Sequence, residues 1–203
     1  MTEIQRVRED LKLSEKRMRH TEGVVRAAVL LASRHFPEIS PETAELAALF
    51  HDYTQEYTVQ QHVQVLASYG QTAAEDELEA PKLLHARTAA LIAEKEYKLS
   101  PEIVSAIRWH TTGREEMSPL ECVIYFADYI EDGRTFPACV RLREYYEKQY
   151  ASLKDKTRAL NKALVRSFDI TIRDLLSEGK TVDPNTVRAR NHYLRRWKKG
   201  NEL

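Results

Sequence analysis

The sequence predicts an all-α protein, and two observations support that prediction. Apolar residues recur about every 3.6 positions along most of the chain, which is the period of a helix with one buried face. Glycine and proline are scarce, at 6 and 7 of 203 residues, so few points oppose helix formation. We therefore expect a compact helical bundle.

Helix starts are marked by an N-cap residue followed by a proline suited to the first turn, at Ser40-Pro41, Ser100-Pro101, Ser118-Pro119 and Asp183-Pro184. Ser118 and Glu121 also have the spacing of a capping box. With the apolar periodicity, these signals predict helices over residues 14–35, 41–52, 58–69, 81–96, 101–111, 119–131, 137–149, 152–178 and 184–198. The acidic stretch 71–80 is the best candidate for a flexible loop.

The length and composition predict one domain over residues 1–203. We expect its core at about residues 14–135 and a C-terminal helical part at about 136–203, packed on that core. Cys122 and Cys139 are too few for a disulfide framework or a cysteine-based zinc site, so buried free thiols are expected.

Charge and hydropathy exclude several classes of function. The 31 basic residues balance the 31 acidic ones, so no overall field favours nucleic acid or an acidic membrane as partner. No apolar run approaches the roughly 20 residues of a membrane span. The charged N-terminal stretch is unlike a signal peptide. We expect a cytoplasmic protein with a small-molecule substrate, and the sequence leaves open whether the chain forms a homodimer.

The most informative residues are polar side chains on otherwise apolar helix faces. They are four histidines and two aspartates, namely His20, His51, Asp52, His85, His110 and Asp128. Any one of them alone is better explained as a hydrogen-bonded core residue. Six such groups are costly to bury separately, because an uncompensated buried carboxylate costs several kcal/mol. Convergence on a cation removes that cost, so the set predicts a metal centre on five helices.

The types of ligand restrict the metal. Without thiolates a closed structural zinc site is disfavoured, whereas histidine and carboxylate suit iron, manganese, zinc or cobalt with open positions for water and substrate. The adjacent pair His51-Asp52 lets the aspartate reach a second cation while the histidine holds the first. One or two ions per chain are therefore expected.

The ordered pattern His20 … His51-Asp52 … His85 … His110 … Asp128 resembles the HD-domain superfamily of metal-dependent phosphohydrolases. Four segments look like the bacterial YqeK family: Lys16-Arg17-Met18-Arg19-His20, Phe50-His51-Asp52-Tyr53, residues 106–113 and residues 125–134. The resemblance runs from about residue 8 to 192. It implies an HD-domain helical bundle, symmetrical hydrolysis of diadenosine tetraphosphate to two ADP, and iron as the metal.

The resemblance also implies a role for each matching residue. His20, His51, Asp52 and Asp128 would hold the tightly bound metal, and His85 and His110 a second metal or the substrate phosphates. Thr111 and Arg134 would contact the nucleotide. The sequence departs from several relatives at Asp132, where they carry proline, and this puts the turn that aims Arg134 in question.

A mechanism follows as a hypothesis. A metal-bound hydroxide would attack an inner phosphorus atom, with Asp52, His85 and His110 as the catalytic residues. Arg134 would grip phosphate oxygens in a bidentate manner. Lys16 and Arg17 either steer the polyphosphate or form a solvated helix face.

Other residues also have two interpretations. Trp109 and Tyr129 either line an adenine pocket or pack in the core. The Thr111–Gly113 turn either offers amides to phosphate or ends a helix at Gly113. His35 and His62 have no partner in the pattern. The basic, aromatic segment 186–199 either docks on the bundle, which we favour, or binds RNA.

Two other functions compete with the symmetrical tetraphosphatase. One is a different HD-type enzyme, such as a nucleotidase, a cyclic-nucleotide phosphodiesterase or an alarmone hydrolase. The other is a non-catalytic protein that binds RNA or a ribosome through its basic C-terminal segment. The complete ligand set argues against the non-catalytic protein.

Overall fold

The structure, a computed structural model, describes residues 2–199, apart from the side chains of residues 76, 79 and 199. Its helices are α1 (Glu3–Asp10), α2 (Glu15–His35), α3 (Pro41–Phe50), α4 (Val59–Ser68), α5 (Glu75–Glu79), α6 (Leu84–Lys95), α7 (Pro101–Trp109), α8 (Pro119–Ile130), α9 (Pro137–Ser152), α10 (Lys156–Ser177) and α11 (Pro184–Lys199). A short 3-10 turn over Pro81–Leu83 leads into α6. Residues 2–199 contain no strand, and the all-α prediction is confirmed.

The predicted N-caps are present. The side chains of Ser40, Ser100 and Ser118 each accept a hydrogen bond from the backbone N–H three residues further on. Ser118 and Glu121 form the predicted capping box. Asp183 accepts from the N–H of Asn185 at 2.7 Å. Each cap satisfies a donor that the helix leaves unpaired and is worth about 1 kcal/mol.

The helices differ from the prediction in several places. Helix α1 lies in a stretch whose charges hide its short apolar face, and Thr2 and Gln5 cap it with a capping box. The predicted loop over 71–80 contains the short helix α5. The helix predicted to begin at residue 152 begins at Lys156, because α9 continues to Ser152 and Asp155 caps α10.

Helix α2 runs through the centre of the bundle and packs against α3 and α8, while α7 packs between α6 and α8. The large buried side chains on these elements include Leu31, Phe50, Ile107 and Phe126. One apolar cluster contains residues from Val7 to Tyr193, which agrees with a single domain, although the domain bounds stay a prediction. Both cysteines are buried free thiols, as predicted.

The C-terminal segment docks on the bundle through α11, which packs mainly on α10. Tyr193 is 2% exposed, and its hydroxyl lies 3.2 Å from the sulfur of Cys122. Thr186 donates to the carbonyl of Thr112 at 3.0 Å. Val187 is 40% exposed and Ala189 is fully buried, so Ala189 rather than Val187 faces the core. RNA binding by the basic side of α11 stays untested.

Within residues 2–199, no helix combines the length and apolar character that crossing a membrane requires.

His35 ends α2 and links it to α9. Its Nε2 lies 2.7 Å from the hydroxyl of Tyr146, which donates to the neutral ring. Burial, together with the nearby cations of Arg34 and Lys156, lowers the pKa of His35 to about 4. The folded state therefore holds this histidine uncharged over a range of pH in which an unfolded chain protonates it.

We expect His35 to make folding sensitive to acid. Its contribution is complete above its ordinary pKa of 6.5 and is lost as the pH falls from 6.5 to about 4, because the unfolded chain then binds the extra proton. Screening by water at this half-buried site reduces the effect to about 1–2 kcal/mol. His35→Gln, which keeps the bond to Tyr146, should flatten urea-unfolding free energy against pH in that window. His192→Gln is the control, and identical pH profiles for wild type and His35→Gln would contradict the assignment.

Candidate metal centre

The six predicted ligands converge. His20 lies in the second turn of α2, His85 in the first turn of α6 and Asp128 in the last turn of α8. His51 and Asp52 directly follow α3, and His110 directly follows α7. The His20 Nε2 atom is 3.0 Å from Asp128 Oδ1 and 3.7 Å from Asp52 Oδ2. Three distant stretches thus meet at His20.

Asp52 lies between two groups of histidines. Its Oδ2 is 3.3 Å from His51 Nε2 and 3.7 Å from His20 Nε2. Its Oδ1 is 3.3 Å from His85 Nε2 and 3.7 Å from His110 Nε2. The described residues therefore form two potential ligand groups, each with two histidines, that share this carboxylate. This geometry agrees with the expectation that Asp52 serves two cations.

Asp128 belongs to the first of these groups by proximity. Its Oδ1 lies 3.0 Å from His20 Nε2 and 4.0 Å from His51 Nε2. Asp128 lies at the edge of the group. The core of the group is formed by His20, His51 and Asp52, whose ligand atoms all lie within 4.8 Å of one another.

The prediction placed all six ligands inside helices, and this is wrong for three of them. Helices α3 and α7 stop one residue before His51 and His110. The Nδ1 of His51 lies 2.6 Å from the carbonyl of Ala48, and that of His110 lies 2.7 Å from the carbonyl of Ile107. Each ring donates to a carbonyl of the last helical turn and so helps to end the helix.

These hydrogen bonds also orient the ligands. A histidine that donates from Nδ1 presents an unprotonated Nε2, which is the form that binds a metal. His51 and His110 do so through backbone carbonyls, and His20 donates from Nδ1 to Glu131 Oε1 at 3.1 Å. Three of the four rings are thus held in the tautomer that a metal ligand needs.

The Nε2 atoms are short of hydrogen-bond partners, which fits a cation. Those of His20 and His51 are buried with no partner of acceptable geometry among the described residues, although carboxylate oxygens lie close. The Nε2 atoms of His85 and His110 are 3.0 Å apart. Two ligand atoms about 2.1 Å from one ion and about 90° apart lie about 3 Å from each other. The donors present therefore fit a divalent metal.

Charge is balanced around the two aspartates. Asp52 is 4% exposed, and burial alone would raise its pKa, but the surrounding histidines hold the pKa well below its usual range. Arg17 also donates to Asp52 Oδ2 at 2.8 Å. Burial likewise opposes ionisation of Asp128, and Arg134 and His20 more than offset it and lower its pKa. Both carboxylates are ionised.

His20 shows the opposite shift. Burial by itself would lower the pKa of its ring, but the adjacent carboxylates of Asp128 and Glu131 raise it to about 9. The strongly negative surroundings of this ring favour a positive charge, which a metal ion would also supply.

Glu131 is a supporting residue that sequence reasoning missed. It is 2% exposed, and its second oxygen accepts from the N–H of Gly133 at 2.6 Å. It therefore connects His20 to the turn that carries Arg134. A Cβ at Gly23, one turn after His20, would overlap this carboxylate. A glycine in the middle of α2 was the one signal in the sequence that could have revealed so close an approach.

The turn with the unusual Asp132 still directs Arg134 toward the centre. Asp132 is exposed and pairs with Arg26 at 2.8 Å. The guanidinium of Arg134 donates to Asp128 Oδ1 at 2.5 Å and lies 6.0 Å from the Tyr129 ring. Arg17 and Lys16, which the sequence grouped together, separate in the structure. Arg17 binds Asp52, and Lys16 is exposed.

The turn after His110 is less suited to binding phosphate than its glycine suggests. Gly113 has a φ of 62°, and its N–H donates to the carbonyl of Trp109 at 2.9 Å, so this residue ends the helix. A Cβ there would also lie 2.8 Å from the Phe168 ring. The hydroxyl of Thr111 is buried with no hydrogen-bond partner among residues 2–199, and its predicted nucleotide contact stays a prediction.

Two clefts adjoin helices α6 and α7. A cleft of about 420 Å³ is lined by Arg87, Arg108 and Trp109 but by none of the six ligands. Arg87 and Arg108 are each two residues from a ligand histidine, about 200° around a helix, so this cleft faces away from the centre. Trp109 is therefore no part of a pocket at the metal centre. A smaller cleft of about 170 Å³ reaches His85 and is lined by Gln55, Tyr57, Val59, His62, Pro81, Lys82 and His85.

The family model described as HD domain matches residues 17–133, a range that includes all six ligands. The chain belongs to the HD-domain family. It is also similar to proteins named symmetrical bis(5'-nucleosyl)-tetraphosphatase, which places it in that family of HD-domain proteins. It is 35% identical to the one from Bacillus subtilis over 89% of this chain and 90% of that protein.

Two further relatives with that name agree. The identity is 33% to the protein from Halalkalibacterium halodurans, over 90% of this chain and 91% of the relative. The identity is 32% to the protein from Staphylococcus aureus, over 90% of this chain and 89% of the relative. A crystal structure described as a predicted HD superfamily hydrolase involved in NAD metabolism, from Clostridium acetobutylicum, has a TM-score of 0.82 and 34% identity. The match covers 95% of this chain and 97% of that one, so the HD-domain bundle is confirmed.

We expect Gly23→Ala to weaken metal binding while the fold remains. The new methyl group would displace Glu131 and release the Nδ1 hydrogen bond of His20, and loss of such a supporting contact typically costs 10- to 100-fold in metal affinity. Alanine also favours helix by about 1 kcal/mol, so the melting temperature should hold. Metal content after dialysis against a chelator measures the effect.

Glu131→Gln is the companion variant, because it keeps an acceptor for His20 and removes only the charge. Its loss of metal should be smaller than that of Gly23→Ala. Wild-type metal retention in Gly23→Ala would show that Glu131 does not support His20.

Proposed function

We propose that this HD-domain protein hydrolyses dinucleoside tetraphosphates symmetrically, converting diadenosine tetraphosphate to two ADP. The observation that supports this most strongly is the pair of histidine groups that share Asp52. The chain that carries them is similar, over about nine tenths of its length, to proteins whose names state symmetrical tetraphosphatase activity. The alternative HD-type activities have no comparable support.

We propose that His20, His51, Asp52 and Asp128 hold the first cation, and that His85 and His110 hold a second with the other oxygen of Asp52. Iron is the metal we favour, because the family resemblance implies it; the histidine and carboxylate ligands suit iron as well as manganese, zinc or cobalt. A divalent ion held there supplies an activated water for attack at phosphorus and neutralises charge on the phosphoryl oxygens.

The chain's own groups have three tasks in this proposal. The carboxylate of Asp52 fixes the spacing between the two histidine groups. His85 and His110, which face its Oδ1, would hold the second cation beside the phosphoryl group under attack. Arg134, at the Asp128 edge, offers two N–H donors to the oxygens of an adjacent phosphate.

The leaving group requires little help from the protein. Cleavage between the two inner phosphates releases a terminal phosphate whose second pKa is about 6, so it departs as an anion near neutral pH. A dedicated general acid is therefore unnecessary in this proposal.

Product analysis tests the cleavage position. With metal-loaded protein and diadenosine tetraphosphate, we expect ADP to account for all of the nucleotide released, as measured by anion-exchange chromatography. AMP together with ATP would mean asymmetrical cleavage, and free phosphate would mean a nucleotidase. Either result would reject the proposal.

Asp52→Ala tests the shared carboxylate. We expect it to lose most bound metal and to reduce hydrolysis at least about 1000-fold, because both histidine groups lose their common oxygen ligand. Asp169→Ala is the matched control, since Asp169 also pairs with an arginine, Arg190, at 2.8 Å but lies away from the centre. Full hydrolysis by metal-free Asp52→Ala protein would rule out the mechanism.

A further inference from the structure

The smaller cleft and Arg134 lie at opposite ends of a chain of contacts through the centre. Contacts run in sequence from Arg134 to Asp128, from Asp128 to His20, from His20 to Asp52, and from Asp52 to His85. His85 in turn lines the cleft. The two histidine groups therefore separate Arg134 from the cleft.

The position of the smaller cleft matters because the proposed substrate is symmetrical. A dinucleoside tetraphosphate carries the same nucleotide arm on both sides of the central bond that breaks. If Arg134 lies beside the phosphates of one arm, the other arm must leave the centre on the His85 side. The cleft opens at that side.

His62, on α4, offers the cleft a hydrogen-bond acceptor. Its Nδ1 lies 2.8 Å from the hydroxyl oxygen of Thr88. The carbonyl of Leu84 lies 2.9 Å from the same hydroxyl and can accept its single proton, and with the proton placed there His62 donates from Nδ1. The Nε2 of the neutral ring then carries a lone pair and can only accept.

Gln55 offers a second acceptor. Its side-chain oxygen is buried with no hydrogen-bond partner in the described part of the chain, and its residue lines the same cleft. Its backbone N–H donates to the carbonyl of Asp52 at 2.9 Å, which fixes the residue next to the centre. An unpaired buried acceptor indicates that a donor from outside the protein belongs there.

Lys82 contributes a cation to the cleft, and the ring of Tyr57 lies at its rim. Lys82 is exposed, and within residues 2–199 no described carboxylate lies within ion-pair distance of it. The Tyr57 ring is 36% exposed and lies 5.8 Å from the His62 ring. The cleft thus combines two acceptors, one exposed cation and an exposed ring face. Those groups match a ribose diol, a phosphate and a base.

The volume of the cleft limits the size of the chemical group that can enter it. Sites for whole small-molecule ligands commonly measure about 300–1000 Å³, and this cleft measures about 170 Å³. It has room for a sugar and its phosphate, while a base would stay at the rim against Tyr57.

We propose that Gln55, His62 and Lys82 form the subsite for the second nucleoside diphosphate arm, with His62 and Gln55 accepting from the ribose hydroxyls and Lys82 pairing with phosphate. This inference rests on the proposed function, since it assigns the half of the substrate that Arg134 does not hold. It makes His62 a specificity residue for nucleotides with an intact ribose.

The first test separates the two nitrogens of His62. In His62→Asn, the side-chain amide lies near the former Nδ1 and keeps the bond to Thr88, while the Nε2 acceptor is lost. In His62→Gln, the amide oxygen reaches the former Nε2 position. We expect His62→Asn to raise the KM for diadenosine tetraphosphate about five- to tenfold with little change in kcat, and His62→Gln to recover most of that loss.

The second test counts bound product without relying on turnover. Calorimetry with ADP should show two sites on the metal-loaded wild-type chain. Lys82→Ala should weaken one site at least about fivefold and leave the other in place. Lys154→Ala, which changes an exposed lysine in the segment between α9 and α10, is the control and should retain both sites.

Each outcome separates the inference from the proposed function. Two ADP sites without hydrolysis of the tetraphosphate would overturn the function and keep the subsite. Symmetrical hydrolysis with an unchanged KM in His62→Asn and unchanged ADP binding in Lys82→Ala would keep the function and overturn the subsite. Loss of metal from His62→Asn would also overturn it, because His62 would then only support His85.

Discussion

The carboxylate of Asp52 is the constraint around which this structure is arranged. It is almost fully buried, and each of its oxygens faces two histidine Nε2 atoms at 3.3–3.7 Å. A buried carboxylate is tolerated only where opposite charge and donors surround it. Here the histidines and Arg17 provide that environment. The short segment after α3 must therefore lie where α2, α6 and the end of α7 approach one another, and this requirement fixes how those elements pack.

The ends of the helices position the histidines of the metal centre as much as the helix faces do. His51 and His110 follow the last residues of α3 and α7, and each uses Nδ1 to bind a carbonyl of the preceding turn. One hydrogen bond thus ends the helix, selects the tautomer and aims Nε2 at Asp52. His20, inside α2, has no free helix carbonyl to bind, because the helix pairs its own backbone groups. It needs a side-chain partner instead, and Glu131 can approach because Gly23 has no Cβ.

Periodicity and capping residues predicted the all-α fold, most helices and the six converging side chains, because these features depend on local patterns. The exact ends of α3 and α7 could not be predicted, since a histidine that closes a helix and one that continues it have the same apolar neighbours. The role of Glu131 depends on an approach between residues more than 100 positions apart. His62 seemed isolated for a similar reason: its partner Thr88 lies on another helix, and no spacing along the chain connects the two.

The two sides of the centre differ, although the proposed substrate presents the same nucleotide to each of them. On the Asp128 side, Arg134 supplies a cation held by the carboxylate it touches. On the His85 side, the cleft supplies acceptors and one exposed lysine. A site built from one chain without internal repeats cannot be symmetrical, so its two halves must recognise identical nucleotides by different contacts. The Arg134 side would hold its product through a largely buried arginine, and the cleft through the sugar and an exposed lysine. Because salt screens an exposed charge more than a buried one, salt should weaken ADP binding more on the cleft side.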